Sequence, residues 1–115
     1  MIIAVTEEKG MISTHFAHVN TLTLYDVFEE GHVLKETLEH TFGDYQAIFD
    51  ALLERGVDAV ITGAIGHGSI EHIMGRGMAV YYGFAHVETD DALRKVYLGR
   101  VPKGHLYDLN EGGCQ

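Results

Sequence analysis

The stretch Val57-Asp58-Ala59-Val60-Ile61-Thr62-Gly63-Ala64-Ile65-Gly66-His67-Gly68-Ser69 constrains this chain more than any other, because a continuous apolar run ends in three glycines within six residues. Such a run reads as a strand buried on both faces that empties into a bare-backbone loop. The glycines predict positive φ values and main-chain N–H groups that no side chain covers. With Ser69 as the cap of a helix running to about Arg76, loop and helix start together would make an anion cradle. The alternative is a tight strand-to-helix connection that holds no ligand. The motif is neither the dinucleotide fingerprint nor a P-loop, since His67-Gly68-Ser69 does not supply the Gly-Lys-Ser/Thr ending.

A chain of 115 residues predicts one domain with one core, here a single α/β domain over residues 1–102 and a flexible polar tail over 103–115. Ile2-Ile3-Ala4-Val5 is a second buried run, central in the sheet, and Thr6 to Thr14 reads as a surface loop. Thr21 to Phe28 alternates, with Leu22, Leu24 and Phe28 on one face and Thr21, Thr23, Tyr25 and Val27 on the other. Val33 to Thr41 alternates again, with Leu34 and Leu38 sharing a face, and the turn signal Glu29-Glu30-Gly31 makes the two an antiparallel edge hairpin. Gly43-Asp44 offers a helix start, Ile48, Phe49, Leu52 and Leu53 recur at helical spacing, and Gly56 supplies the stop. Ile70, Ile73 and Met74 predict a short helix after the glycine loop, ended by Gly75-Arg76-Gly77. The strand Met78-Ala79-Val80-Tyr81-Tyr82 and a loop from Gly83 to Val87 follow. Thr89, Asp90 and Asp91 have the composition of a capped first turn, Leu93, Val96 and Tyr97 form the buried stripe, and Gly99 with Pro102 closes the helix.

The predicted fold is therefore α/β, with a mixed five-stranded sheet whose first, fourth and fifth strands are parallel. Ligands of such sheets sit beyond the carboxyl ends of the parallel strands, where Thr6, Gly63 to Gly68 and Gly83 to His86 emerge.

Charge and composition narrow the function. The net charge is −9 and the eight Lys and Arg residues are scattered, so the basic footprint that phosphate contacts need is missing and nucleic acid is not an expected partner. No apolar run approaches the roughly 20 residues of a membrane helix. The start Met1-Ile2-Ile3-Ala4-Val5 moves directly into a strand pattern, so no secretory signal is expected. Cys114 is the sole cysteine, which excludes an internal disulfide and makes a cytoplasmic location the default.

Eight histidines leave room for metal- or pH-linked chemistry. His15 and His18 flank Phe16 and could converge on one metal in a turn, though not in an extended strand. His67 and His72 are five apart, roughly 140° round a helix, and make a poor chelating pair. A closed zinc site would have to draw further ligands from His67, His72 or His86 on separate elements. The first strand carries no Asp for a magnesium-dependent nuclease site, and neither Ser13 nor Ser69 lies in a nucleophile elbow.

Together, Ile3-Ala4-Val5-Thr6, Ser13-Thr14-His15-Phe16, the Val57 to Gly66 run, and Val80-Tyr81-Tyr82 before a helix ending near Leu98-Gly99 resemble the dinitrogenase iron-molybdenum cofactor biosynthesis family over roughly Ile2 to Val101. The resemblance implies a ribonuclease H-like three-layer fold without nuclease residues, and binding or carriage of an iron-molybdenum or related metal-sulfur cluster. It makes His15 a candidate cluster contact, beside Phe16, and matches Gly63, Ile65 and Gly66 to the family's glycine loop, which Thr62 precedes. Family loops usually read His-Phe-Gly-Arg; here Ala17 and His18 take the last two places, and His67 stands where the family often carries proline. A fixed positive charge is thereby replaced by softer, protonatable imidazoles. The candidate cluster-binding set is His15, Phe16, His18, Thr62, Gly63, Ile65, Gly66 and His67, with His15 and His18 as candidate metal ligands.

The expected function is a non-catalytic carrier of a metal-sulfur cluster, working with a cluster donor or acceptor protein. Two other classes stay open: a small metal-dependent hydrolase or transferase acting on an anionic metabolite, and a ligand-free regulatory module that recognises a partner through its hairpin edge.

Overall fold

The computed structural model describes residues 1–18, 21–39, 45–101 and 106–107. In chain order the elements are β1 (Ile2–Val5), β2 (Glu7–Glu8), β3 (Met11–Ile12), a single 3-10 turn (Phe16–His18), β4 (Thr21–Phe28), β5 (Gly31–Glu39), α1 (Tyr45–Glu54), β6 (Ala59–Ile61), α2 (His67–Gly75), β7 (Ala79–Tyr81), α3 (Thr89–Tyr97) and β8 (Leu106–Tyr107). The main sheet has the order β5-β4-β1-β6-β7-β8. β1, β6 and β7 are parallel, and β4 runs antiparallel to both β1 and β5. The first five strands of that order, with α1 and α2 on one face and α3 on the other, make a three-layer α/β arrangement. None of the described helices is long and apolar enough to cross a membrane.

The buried runs explain why β1 and β6 are central. Successive side chains of a strand point to opposite faces, so a strand covered on both sides must be apolar at every position. Ala4 and Val60 pack with Ile48, Phe49 and Leu52 of α1 and with Ile70, Ile73 and Met74 of α2. Ile3, Val5, Ala59 and Ile61 face the other way, onto Ala92, Leu93 and Val96 of α3. Fully buried side chains such as Leu52 and Leu93 each contribute roughly 1.5–3 kcal/mol from lost water contact. Gly56, at φ +70°, ends α1 in the left-handed conformation that only glycine adopts without cost, as its position predicts.

Several sequence expectations need correction. A sixth strand, β8, pairs antiparallel with β7 within the stretch read as a polar tail. The Thr6 to Thr14 stretch is no simple loop: β2 and β3 form a small hairpin through Lys9 and Gly10, both at positive φ, and Ile12 is buried. A bulge disturbs the β4–β5 ladder, where Leu24 pairs with Glu36 but Tyr25 pairs with Leu34. The extra residue, Lys35, reverses the alternation of β5, so Leu38 packs on the α1/α2 side while Leu34 lies on the other face, 61% exposed. β4 is covered on both faces: Leu22 and Leu24 face α1 and α2, and Val27 faces α3, whereas Phe28 lies at the exposed end. Leu53 is exposed, off the buried stripe of α1. At α3 the N-cap residue is Glu88, without a side-chain capping bond, and Thr89 is the first helical residue, with Asp90 and Asp91 in the first turn as expected. The predicted starts and stops at Gly43-Asp44, Thr41 and Pro102, and Cys114, lie outside the described residues.

Candidate functional site

The carboxyl ends of β1, β6 and β7 meet at one rim. Thr6 follows β1 and donates its amide to Ile61 O at 3.2 Å; Thr62 follows β6 and donates to Tyr81 O at 2.9 Å. Beyond them the backbone of Ser13 to Phe16 lies along Gly63-Ala64 as a short parallel bridge. Ala64 N donates to Thr14 O at 2.7 Å and Phe16 N donates to Ala64 O at 2.8 Å. This is why Gly63 is glycine. A Cβ there would overlap the carbonyl oxygens of Ser13 and Thr14. The requirement is close approach of two backbones, since none of Gly63, Gly66 and Gly68 has positive φ, contrary to the sequence expectation.

Three buried hydroxyls lie beneath that bridge. Thr6 Oγ1 and Thr62 Oγ1 are 2.7 Å apart, and Ser13 Oγ stands 2.8 Å from Thr6 Oγ1 and 3.2 Å from the carbonyl oxygen of His15. Thr62, Thr6 and Ser13 are 0%, 1% and 5% exposed, so each hydroxyl must find its partner inside the protein.

α2 begins at His67, two residues earlier than the expected cap. Its N-cap is Gly66, in extended conformation at φ −70° and ψ 149°, with no side-chain capping bond, and Ser69 belongs to the first turn. Ile70 N makes the first intrahelical bond, to Gly66 O, so the amides of that first turn have no intrahelical acceptor. A cleft of about 250 Å³ opens against this helix start, lined by His15, Phe16, Ala17, Ala64, Ile65, Gly66 and Ser69. Phe16 is also part of the core, its ring stacked 6.0 Å from Phe49. Among the described residues no carboxylate lines the cleft.

His15, Phe16, Ile65 and Gly66 of the expected set are thus brought together. Thr62 and Gly63 stand behind them and fix the backbone. His67 begins α2 but does not line the cleft; its side chain is 73% exposed and lies 3.5 Å from Glu71. The side chain of His18 lies outside the described part of the structure, and among the described residues no three His, Cys, Asp or Glu side chains gather as a metal site. His72 stacks on Phe49 at 6.1 Å. Sequence reasoning missed Ala17 and Ala64 as lining residues, took Ser69 for a cap, and overlooked the link between Thr6, Ser13 and Thr62. Ser13 was legible only as a neighbour of His15.

A second opening, of about 520 Å³, lies on the α3 side and is lined by Glu7, Lys9, Gly10, Met11, Glu88, Thr89 and Asp90. Two of its carboxylates are tethered: Tyr25 Oη donates to Glu7 at 2.7 Å, and Asp90 lies 3.1 Å from His32 Nε2. Burial and the Glu7 carboxylate push the Tyr25 phenol above its ordinary range.

No curated protein matches the chain. Among solved structures, the apo form of the orange protein from Desulfovibrio gigas is similar at 18% identity and TM-score 0.72, covering 93% of this chain and 96% of that one. The protein PH0822 is similar at 22% identity and TM-score 0.68, covering 90% and 98%. A dinitrogenase candidate from Methanocaldococcus jannaschii is similar at 16% identity and TM-score 0.65, covering 89% and 92%. At such identities the likeness speaks to the fold. The sequence profile of the family described as dinitrogenase iron-molybdenum cofactor matches residues 1–99, nearly the whole of the described domain, and the chain belongs to that family.

Proposed function

We propose that this protein binds and carries an iron-molybdenum or related metal-sulfur cluster, without catalysing a reaction, in the cleft between the His15–Ala17 loop and the start of α2. The observation that carries this reading is the convergence of His15 and Ser69 with the uncapped first turn of α2 on a pocket that, among the described residues, no carboxylate lines. A cluster bearing sulfide or oxo groups is a hydrogen-bond acceptor of negative charge. Amide N–H groups at the positive end of a helix dipole suit such a load. The donor set fits a cargo more than a resident group: the described residues include no thiolate, so the cluster would be held mainly by hydrogen bonds and by His15, with His18 as a further candidate ligand. Weak, replaceable contacts allow release to an acceptor protein.

The described lining, His15, Phe16, Ala17, Ala64, Ile65, Gly66 and Ser69, holds no carboxylate and so favours an anionic cargo over metal-dependent hydrolysis, which needs acids aimed at the reacting centre. A cytoplasmic setting and exchange with a cluster donor or acceptor protein belong to the same proposal. The test is anaerobic reconstitution with iron, molybdate and sulfide, followed by desalting, visible absorption and metal analysis. The carrier reading predicts a coloured protein with molybdenum in constant ratio to chain. A colourless, metal-free product, under conditions that load a positive control, contradicts it.

A further inference from the structure

The carrier reading makes no use of the opening beside α3, yet its walls are held together by main chain. Ile12 N donates to Val87 O at 2.9 Å, His86 N to Ile12 O at 2.9 Å and Thr89 N to Gly10 O at 3.0 Å. Glu7 and Lys9 of the β2–β3 hairpin form one wall, and Glu88, Thr89 and Asp90 at the start of α3 form the other.

The polar groups of this lining are acceptors short of donors. Two carboxylates are fixed through one oxygen each, Glu7 Oε1 by the Tyr25 hydroxyl at 2.7 Å and Asp90 Oδ1 opposite His32 Nε2 at 3.1 Å. An ionised carboxylate accepts about four hydrogen bonds, so both keep capacity for a ligand. Glu88, the N-cap residue of α3, makes no side-chain capping bond. Lys9 is exposed and forms no ion pair among the described residues, so it does not neutralise the three acids. The independent sign of a ligand is Thr89. It is 2% exposed, and among the described residues its Oγ1 is a buried side-chain oxygen with no hydrogen-bond partner. Its amide is already bonded to Gly10, so the hydroxyl alone is orphaned. Leaving such a group unpaired costs stability that an N–H from a ligand restores.

A bare metal ion does not meet this need, because among the described residues no three His, Cys, Asp or Glu side chains gather round one point. Acids set on two separate walls suit a cation whose donors point several ways. A guanidinium is planar, permanently charged and carries five N–H donors, and an opening of about 520 Å³ admits it with part of its carbon chain. The positive end of α3 does not repel it, since Asp90 and Asp91 already offset that end.

We propose that the opening beside α3 is a guanidinium-binding site, with Glu7, Glu88 and the Thr89 hydroxyl as acceptors. It is separate from the α2 cleft and does not depend on what that cleft carries. The group arrives either on a small free molecule or as an arginine side chain of a partner protein, and the recognition chemistry is the same.

The test titrates the full chain, without metal, with three probes while amide resonances are recorded by NMR. The probes are methylguanidinium, the blocked peptide acetyl-Gly-Arg-Gly-amide, and tetramethylammonium, which has the charge without N–H donors. The expected result is saturable displacement of Gly10, Met11 and Glu88 to Asp90 by the first two probes, with Gly66 and Ser69 unmoved. Tighter binding of the peptide assigns the site to a partner's arginine, and equal or weaker binding assigns it to a free cation. Affinity falls roughly tenfold in Thr89→Val and in Glu88→Gln, as loss of one hydrogen bond to a charged donor dictates. In the absence of probe, Thr89→Val does not lower the thermal midpoint, because it replaces an unpaired hydroxyl with a methyl group of similar shape. No saturable displacement by either guanidinium probe, equal displacement by tetramethylammonium, or unchanged affinity in the variants overturns the proposal. Should Thr89→Val fail to fold, the exposed substitution Glu88→Gln still decides.

Discussion

Two openings among the described residues differ more in charge than in kind, and the smaller has the less acidic lining. The cleft beside α2, of about 250 Å³, presents His15, Ser69 and a helix start, while the opening beside α3, of about 520 Å³, presents Glu7, Glu88 and Asp90 against one lysine. Both lie near turns and helix starts, because polar backbone is exposed where strands end. What separates them is the composition of the first helical turn. α3 places Asp90 and Asp91 there, which occupies its positive end with the protein's own carboxylates. α2 has no acidic residue in its first turn and no side-chain capping bond, so no carboxylate of that turn offsets its positive end. In a chain of net charge −9, a local gap in the acidic surface matters more than volume.

The largest expected effect tests whether backbone contact builds the cleft. Gly63→Ala forces a methyl group into the Ser13 and Thr14 carbonyls and should cost about 4 kcal/mol or more in urea unfolding. Gly66→Ala, where a Cβ meets nothing within 4 Å, should cost no more than about 1 kcal/mol. Equal costs would show that the His15 loop is not docked on Gly63. The next effect compares the openings directly: His15→Ala should lower retained molybdenum roughly tenfold after reconstitution, whereas Glu7→Gln with Glu88→Gln should leave it within about twofold. The opposite pattern would move the site to the α3 side.

The smallest effect sharpens the acidic side. Tyr25 is an acid whose folded pKa is raised above its ordinary value of 10.0, first by burial and then by Glu7. Its contribution to stability is therefore complete below pH 10 and is lost as pH rises toward the folded value. Alkaline unfolding followed by circular dichroism should show stability falling above that pH, and Tyr25→Phe should flatten the fall. A slope unchanged by the substitution would show that the Tyr25–Glu7 contact does not confine the phenol.

The sequence made some of this legible and hid the rest for physical reasons. β1 and β6 stand out because strands buried on both faces must be apolar at every position, and Ile2 to Val5 and Ala59 to Ile61 satisfy that without tertiary information. The faces of β5 could not be read, since Lys35 gives no local sign of being the bulged residue and a one-residue slip moves Leu34 away from Leu38. β8 is two residues long and owes its place to the edge of β7, not to any pattern of its own. At the site, the meeting of His15 with the glycine loop followed from the strand order and the family resemblance. The roles inside it did not. Three glycines suggested unusual φ, but Gly63 is required by a neighbour distant in sequence, and the hydroxyls of Thr6, Ser13 and Thr62 meet only in the folded chain.

Carriage as proposed requires that cargo enter beside α2 and not beside α3. An amide correlation spectrum, recorded before and after anaerobic loading with iron, molybdate and sulfide, tests it most directly. The predicted result is displacement or broadening of the Ala64, Gly66, Gly68 and Ser69 amides and of His15, with Gly10 and Glu88 to Asp91 unmoved. Displacement centred on Gly10 and Asp90, with the first turn of α2 unchanged, would contradict it.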